Sequence, residues 1–162
     1  MLTTVLIMAV ATAGVGTPSF AFGAECATKF EVVRPELRAI VAIENRGTLG
    51  TKHGDRAFQH DLDGDGKPEL FLLLHCATTN CAWAIVEQDP FRDLGRAWAE
   101  VMYLVPTENS WPTILAVGRH GEWGWSSEYR SEGQAYVQDG VKNLAPREKQ
   151  QLLRRMGPVR CN

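Results

Sequence analysis

The sequence predicts an α+β, β-rich domain: an antiparallel meander sheet with short N- and C-terminal helices. Strand signals recur at near-regular intervals from Glu69 onward, with turn residues between them. No segment among them is long enough for the crossover helix that parallel strands need, and helical patterns stand only near the two ends. The chain has 162 residues and a formal net charge of −2. Its length suits one domain with a real core. Lys and Arg are spread evenly, with no basic patch interleaved with aromatics, which argues against nucleic acid as a partner.

Residues 1–23 read as a secretory signal peptide. They are largely apolar from Val5 through Val15 and end in small residues at Ala21 and Gly23, so cleavage is expected after Ala21, Gly23 or Ala24. The competing reading is a membrane anchor. The apolar core is short and interrupted by Thr12, Gly14, Gly16 and Pro18, whereas a spanning helix needs about 20 apolar residues. Residues 24–162 are then a single exported domain, periplasmic or secreted, with no stable membrane span once the leader is removed.

Pro35 to Asn45 begins with proline in its first turn and stops before Gly47, the asymmetry of a short helix. Leu37, Ile40, Val41 and Glu44 share a face, which would lie on the sheet. A polar connection from Arg46 to Asp55 leads to a short strand, Arg56 to His60.

The next twelve residues carry the most specific signal. Asp61, Asp63 and Asp65 stand on alternate positions with Gly64 and Gly66 between and after them. A hard dication takes about 6 to 8 oxygen ligands, and alternate side chains of a tight loop converge on one point where glycine relieves the backbone. Calcium is the expected cofactor, held by the carboxylates of Asp61, Asp63 and Asp65, the backbone carbonyl of Lys67 and the carboxylate of Glu69. Four carboxylates so close repel one another unless a cation offsets them. An EF-hand is excluded, because its twelfth position, a bidentate Glu, is here Leu72, and Pro68 resists an exiting helix. Glu69 to His75 instead has the length and flanks of a buried strand.

Further strands are expected at Cys81 to Glu87, Ala97 to Leu104, Thr113 to Gly118, Trp123 to Arg130 and Gln134 to Gln138. Trp123 and Trp125 fall on one face of their strand. Pro146 to Met156, stopped by Gly157, reads as the second helix, with Arg154 and Arg155 at its C-terminal end as a solvated basic face.

Four cysteines in an exported chain point to disulfides, and four permit three pairings. Cys76 with Cys81 would close a small loop, and Cys26 with Cys161 would tie the two ends together. Zinc on Cys76, Cys81 and His75 is the weaker alternative, because no second ligand pair lies nearby.

The loop Asp61-Leu62-Asp63-Gly64-Asp65-Gly66-Lys67-Pro68-Glu69 resembles the calcium loops of FG-GAP and VCBS repeats, where D-x-[DN]-x-D-G-x-x-[DE] runs straight into a strand. That resemblance implies a β-rich context and a structural ion. With the export signal, the cysteine pair and the turn Tyr136-Val137-Gln138-Asp139-Gly140, the chain also resembles a group of small bacterial periplasmic proteins, most of unassigned activity. It departs from them at Cys76-Ala77-Thr78-Thr79-Asn80-Cys81, which lacks their glycines.

The histidines, His53, His60, His75 and His120, form no recognisable metal or nucleophile motif with their neighbours. Trp111, Trp123, Trp125, Tyr129 and Tyr136 are the densest aromatic supply. They are expected in the core, or else on one exposed face as a platform for a ligand. Two functions follow: a noncatalytic, calcium-stabilised module that binds an envelope protein or polymer through the Trp111 to Tyr136 region, or an envelope hydrolase or hydrolase inhibitor that sets His60 or His75 beside a carboxylate and a serine such as Ser126.

Overall fold

The run Leu70-Phe71-Leu72-Leu73-Leu74 puts apolar side chains on both faces of a strand, so it needs cover on two sides. The computed structural model, which describes residues 20–108, 111–133 and 135–161, provides that cover. In chain order the elements are β1 (Phe20–Gly23), a 3-10 turn (Ala24–Cys26), β2 (Thr28–Lys29), α1 (Pro35–Glu44), β3 (Thr51–His60), β4 (Glu69–Ala77) and β5 (Asn80–Gln88). They continue with β6 (Phe91–Ala99), β7 (Val101–Val105), β8 (Thr113–His120), β9 (Trp123–Glu132), β10 (Ala135–Leu144) and α2 (Pro146–Met156). The strands make two five-stranded antiparallel sheets, ordered β2-β3-β4-β5-β6 and β1-β7-β8-β9-β10.

Side-chain alternation then sorts the residues into layers. Phe71 and Leu73 of β4, with Trp83 and Ile85 of β5, pack against Met102 and Leu104 of β7 and Ile114 and Ala116 of β8 between the sheets. Leu70, Leu72 and Leu74 point the other way and meet Leu37 and Ile40 of α1. On the outer face of the second sheet, Tyr103, Leu115 and Val117 meet Met156, with Leu152 and Leu153 of α2 alongside. Each large apolar side chain so buried contributes about 1.5–3 kcal/mol.

The β-rich, antiparallel architecture with two short helices is the one expected; its strands are shared between two sheets, and the expected strand Ala97 to Leu104 is two strands broken at Glu100. Ala97 and Ala99 face the central core before the break; after it, Val101 faces outward and Met102 inward. Glu100 is the corner at which the chain leaves one sheet for the other. Its N–H donates to Val117 O at 2.9 Å, and its carboxylate meets Arg119 at 2.8 Å and Lys149 Nζ at 2.6 Å. The Thr51 to Asp55 stretch, expected as a connection, is the first half of β3, paired at Thr51↔Cys76 and Lys52↔His75. Phe91 to Arg96, also missed, pairs with β5.

Both helices stand where the sequence places them. α1 is fixed to β6 by Arg96, whose guanidinium meets Glu44 at 2.8 Å and Asp93 at 2.6 Å. At the start of α2 the Ala145 N–H donates to Glu148 Oε2 at 2.8 Å, satisfying one of the donors left over at a helix end. Disulfides join Cys26 to Cys161 and Cys76 to Cys81. No helix among the described residues is long and apolar enough to cross a membrane.

Most of the expected leader, residues 1–19, lies outside the described residues. Its last four residues are β1, paired antiparallel to β7 from Phe20↔Leu104 to Gly23↔Val101. Phe22 is fully buried, stacked on Phe58 at 4.6 Å and edge-on to Phe71 at 4.8 Å. In the full-length chain, β1 thus packs into the same core as the residues that follow Ala24.

Candidate functional site

The strand directions give the sandwich two working ends. The β3–β4 connection, residues 61–68, lies at one; the β4–β5 and β8–β9 turns lie at the other, roughly 25 Å of strand away along the nine residues of β4.

At the first end, Asp61, Asp63 and Asp65 bring one carboxylate oxygen each within 4.8 Å of one another, an arrangement that could hold a metal ion. The loop is shaped by its own side chains. Asp61 accepts the N–H of Gly64 at 2.8 Å and of Gly66 at 2.9 Å through its two oxygens; Asp63 accepts from Asp65 N–H at 3.1 Å, and Asp65 from Lys67 N–H at 2.7 Å. Gly64 and Gly66 sit at φ +77° and +85°, which a side chain would strain. The donors offered are all oxygen, so the site suits a hard cation. Leu62 points into the core and anchors the loop from beneath.

Glu69, expected as a fourth carboxylate ligand, is nearly fully buried, and its Oε2 accepts the Leu62 N–H at 2.7 Å. It does not belong to the converging set of three. Burial first, and then the negative charges of Asp63 and Asp61, push its carboxyl up to about 7, against the opposing pull of the Leu62 N–H.

At the second end the sheets part around a cleft of about 1070 Å³. Trp123, Trp125 and Tyr129 line it from alternate positions of β9; Trp98, which the sequence reading did not single out, joins them. Trp111 and Tyr136 do not. They meet edge-on at 6.0 Å, and Tyr136, buried, donates its hydroxyl to Pro112 O at 3.0 Å. Tyr136 lies opposite Ser131 at the far end of β9, where the charges of Glu69 and Asp63 add to burial in raising its phenol. The five aromatics therefore do not form one face, because β9 and β10 carry them to opposite ends of the sandwich.

The cleft walls are fixed. Asn80, in the hairpin closed by Cys76–Cys81, donates to Arg119 O at 2.7 Å and accepts Arg119 N–H at 2.9 Å, joining the two sheets at the mouth. On the other side Gln138 donates to Ser127 Oγ at 2.9 Å, and Ser127 donates to Gly140 O at 2.5 Å. Tyr129 closes the floor, its hydroxyl accepting the Trp98 backbone N–H at 3.4 Å. Nothing in the sequence pattern announces the Asn80–Arg119 pairing, which forms only when two sheets meet.

The histidines considered for hydrolysis are engaged elsewhere. His60 stacks on Phe20 at 5.0 Å, and burial holds its imidazole below the usual value against the opposing charge of Asp61. His75 rests against Trp98 at 5.4 Å with Nδ1 buried and unpaired, also lowered mainly by burial. Ser126 lines a separate recess beside α2 with Glu128 and Glu148. The cleft itself contains His120 and no carboxylate, serine or cysteine among its described lining.

No protein family matches this chain, and neither does any curated protein or solved structure. The likeness to FG-GAP and VCBS loops thus stops at the acidic loop and carries no family assignment.

Proposed function

We propose that the chain is an exported, noncatalytic binding module of the cell envelope, periplasmic or secreted, stabilised by calcium in the Asp61–Asp63–Asp65 loop, and that it takes an envelope protein or polymer in the Trp123–Trp125 cleft. The observation that carries this reading is the cleft: large aromatic rings on walls that are already locked, where binding loses little conformational freedom. Two disulfides fit an oxidising compartment. Calcium is favoured over softer metals because the three converging donors of the loop, from Asp61, Asp63 and Asp65, are all oxygen.

Affinity capture from envelope extract tests the reading, with Trp123→Ala beside the parent chain. A reproducible partner lost in the variant, at an unchanged melting temperature, supports it. Equal capture by both chains overturns it, because the cleft would then play no part.

A further inference from the structure

We infer that the cleft takes a neutral oligosaccharide segment, stacked on the indoles of Trp123 and Trp125 and hydrogen-bonded by the Asn143 amide on β10; this rests on the binding-module reading above and names its ligand class.

Geometry supports it first. Trp123 and Trp125 are two residues apart on one strand and therefore present their rings along one line. Trp123 is 58% exposed. Trp125 lies across Gly118, its register partner on β8; a Cβ there would fall 2.1 Å from Trp125 Cε2. The missing side chain leaves room for the half-buried indole to lie over the Gly118 backbone, where it lines the cleft while also packing against the central core. A pyranose offers an apolar face of C–H groups that fits such a surface, and its equatorial hydroxyls radiate at the edge, where polar side chains can reach them.

Those side chains are amides and hydroxyls. Asn143 faces Trp125 across the β9–β10 ladder, and among the described residues its amide has no protein partner. Thr78 and Thr79 form the facing wall.

Charge then narrows the class. No carboxylate lines the cleft among the described residues, and the Arg119 guanidinium is taken by Glu100 at 2.8 Å. An anionic polymer would need free cations to replace its counterions, and a cationic one would need acids. With Arg119 paired and the His120 imidazole as the other basic side chain of the described lining, the cleft offers no unpaired fixed charge, which complements an uncharged ligand. Its volume exceeds what one sugar ring fills, so a chain of linked rings is the fitting occupant.

The test is tryptophan fluorescence and calorimetric titration with chitohexaose, cellohexaose and maltohexaose in 0.05 M and 0.5 M NaCl, with polygalacturonate and an unstructured peptide pool as controls. Saturable binding of at least one neutral hexasaccharide, insensitive to salt, is expected. Trp123→Ala should abolish it. Gly118→Ala, which keeps both rings but lifts Trp125, should weaken it by about tenfold or more. Melting temperatures of both variants separate loss of binding from loss of folding, and Asn143→Ala offers a second, exposed variant expected to weaken binding in the same direction. No binding of any neutral hexasaccharide, or binding untouched by Trp123→Ala, overturns the assignment. Steeply salt-dependent binding of polygalacturonate, or Trp123-dependent binding of the peptides alone, overturns it while leaving the binding module standing. Absence of any Trp123-dependent binding, from pure ligands or envelope extract, overturns both.

Discussion

The Leu62 backbone N–H donates to Glu69 Oε2 at 2.7 Å, joining the acidic loop to the first residue of β4. Glu69 is buried and its carboxyl is pushed up to about 7. Between the ordinary value of 4.5 and about 7, the folded protein keeps a proton that the unfolded chain has released. Stability of the calcium-free protein therefore falls as pH rises through that window, by up to on the order of 3 kcal/mol. Urea melts in chelator at pH 5 and 7.5 measure the slope. Glu69→Gln should flatten it; an unchanged slope would assign it to other groups.

Calcium should raise the melting temperature, because a ion bound only by the native loop shifts folding by mass action, about 2.7 kcal/mol at a hundred times the dissociation constant. Asp63→Ala and Asp65→Ala should lose the increment. A positive charge beside Glu69 also lowers its carboxyl, so the pH slope above should be shallower with calcium than with chelator. Identical melts in all of these conditions would dispose of the ion.

Glu100→Ala should destabilise by about 3 kcal/mol, since it leaves the Lys149 ammonium, 9% exposed, without its partner. Lys149→Met in the same chain should recover much of that loss, because the methionine covers Gly124 as the lysine stem does and carries no charge. Denaturant melts of the two single variants and the double variant check this; additive losses would count against the pairing.

Phe22→Ala should cost about 3–5 kcal/mol, as expected for a fully buried ring stacked on Phe58 and edge-on to Phe71 and Trp83. A chain starting at Ala24 should be at least as unstable as that variant and should expose the edge of β7, whereas one starting at Phe20 should melt normally. Equal melting of the two shortened chains would show that β1 contributes nothing.

What the sequence discloses is what is local. Pro35 and Pro146 open the helices, and Gly157 follows the second; the spacing of Asp61, Asp63 and Asp65 sets up the acidic loop with no help from distant residues. The passage between sheets is hidden because only one residue, Glu100, separates two runs that read as one strand. Thr51 to Asp55 looks like a connection because its polar side chains belong to a strand end that is only partly covered. The cleft is least legible. Trp123 and Trp125 show their shared face in the sequence, but Gly118 beneath one of them and Asn80 bridging to Arg119 acquire meaning only once β5, β8 and β9 are assembled.

The acidic loop and the aromatic cleft occupy opposite tips of β4, with a packed core between them. If the loop holds calcium as proposed, its withdrawal would shorten the protein's survival against proteases before it altered the distant cleft. Ambient ion levels would then set how many copies persist, with the cleft of each surviving copy unchanged.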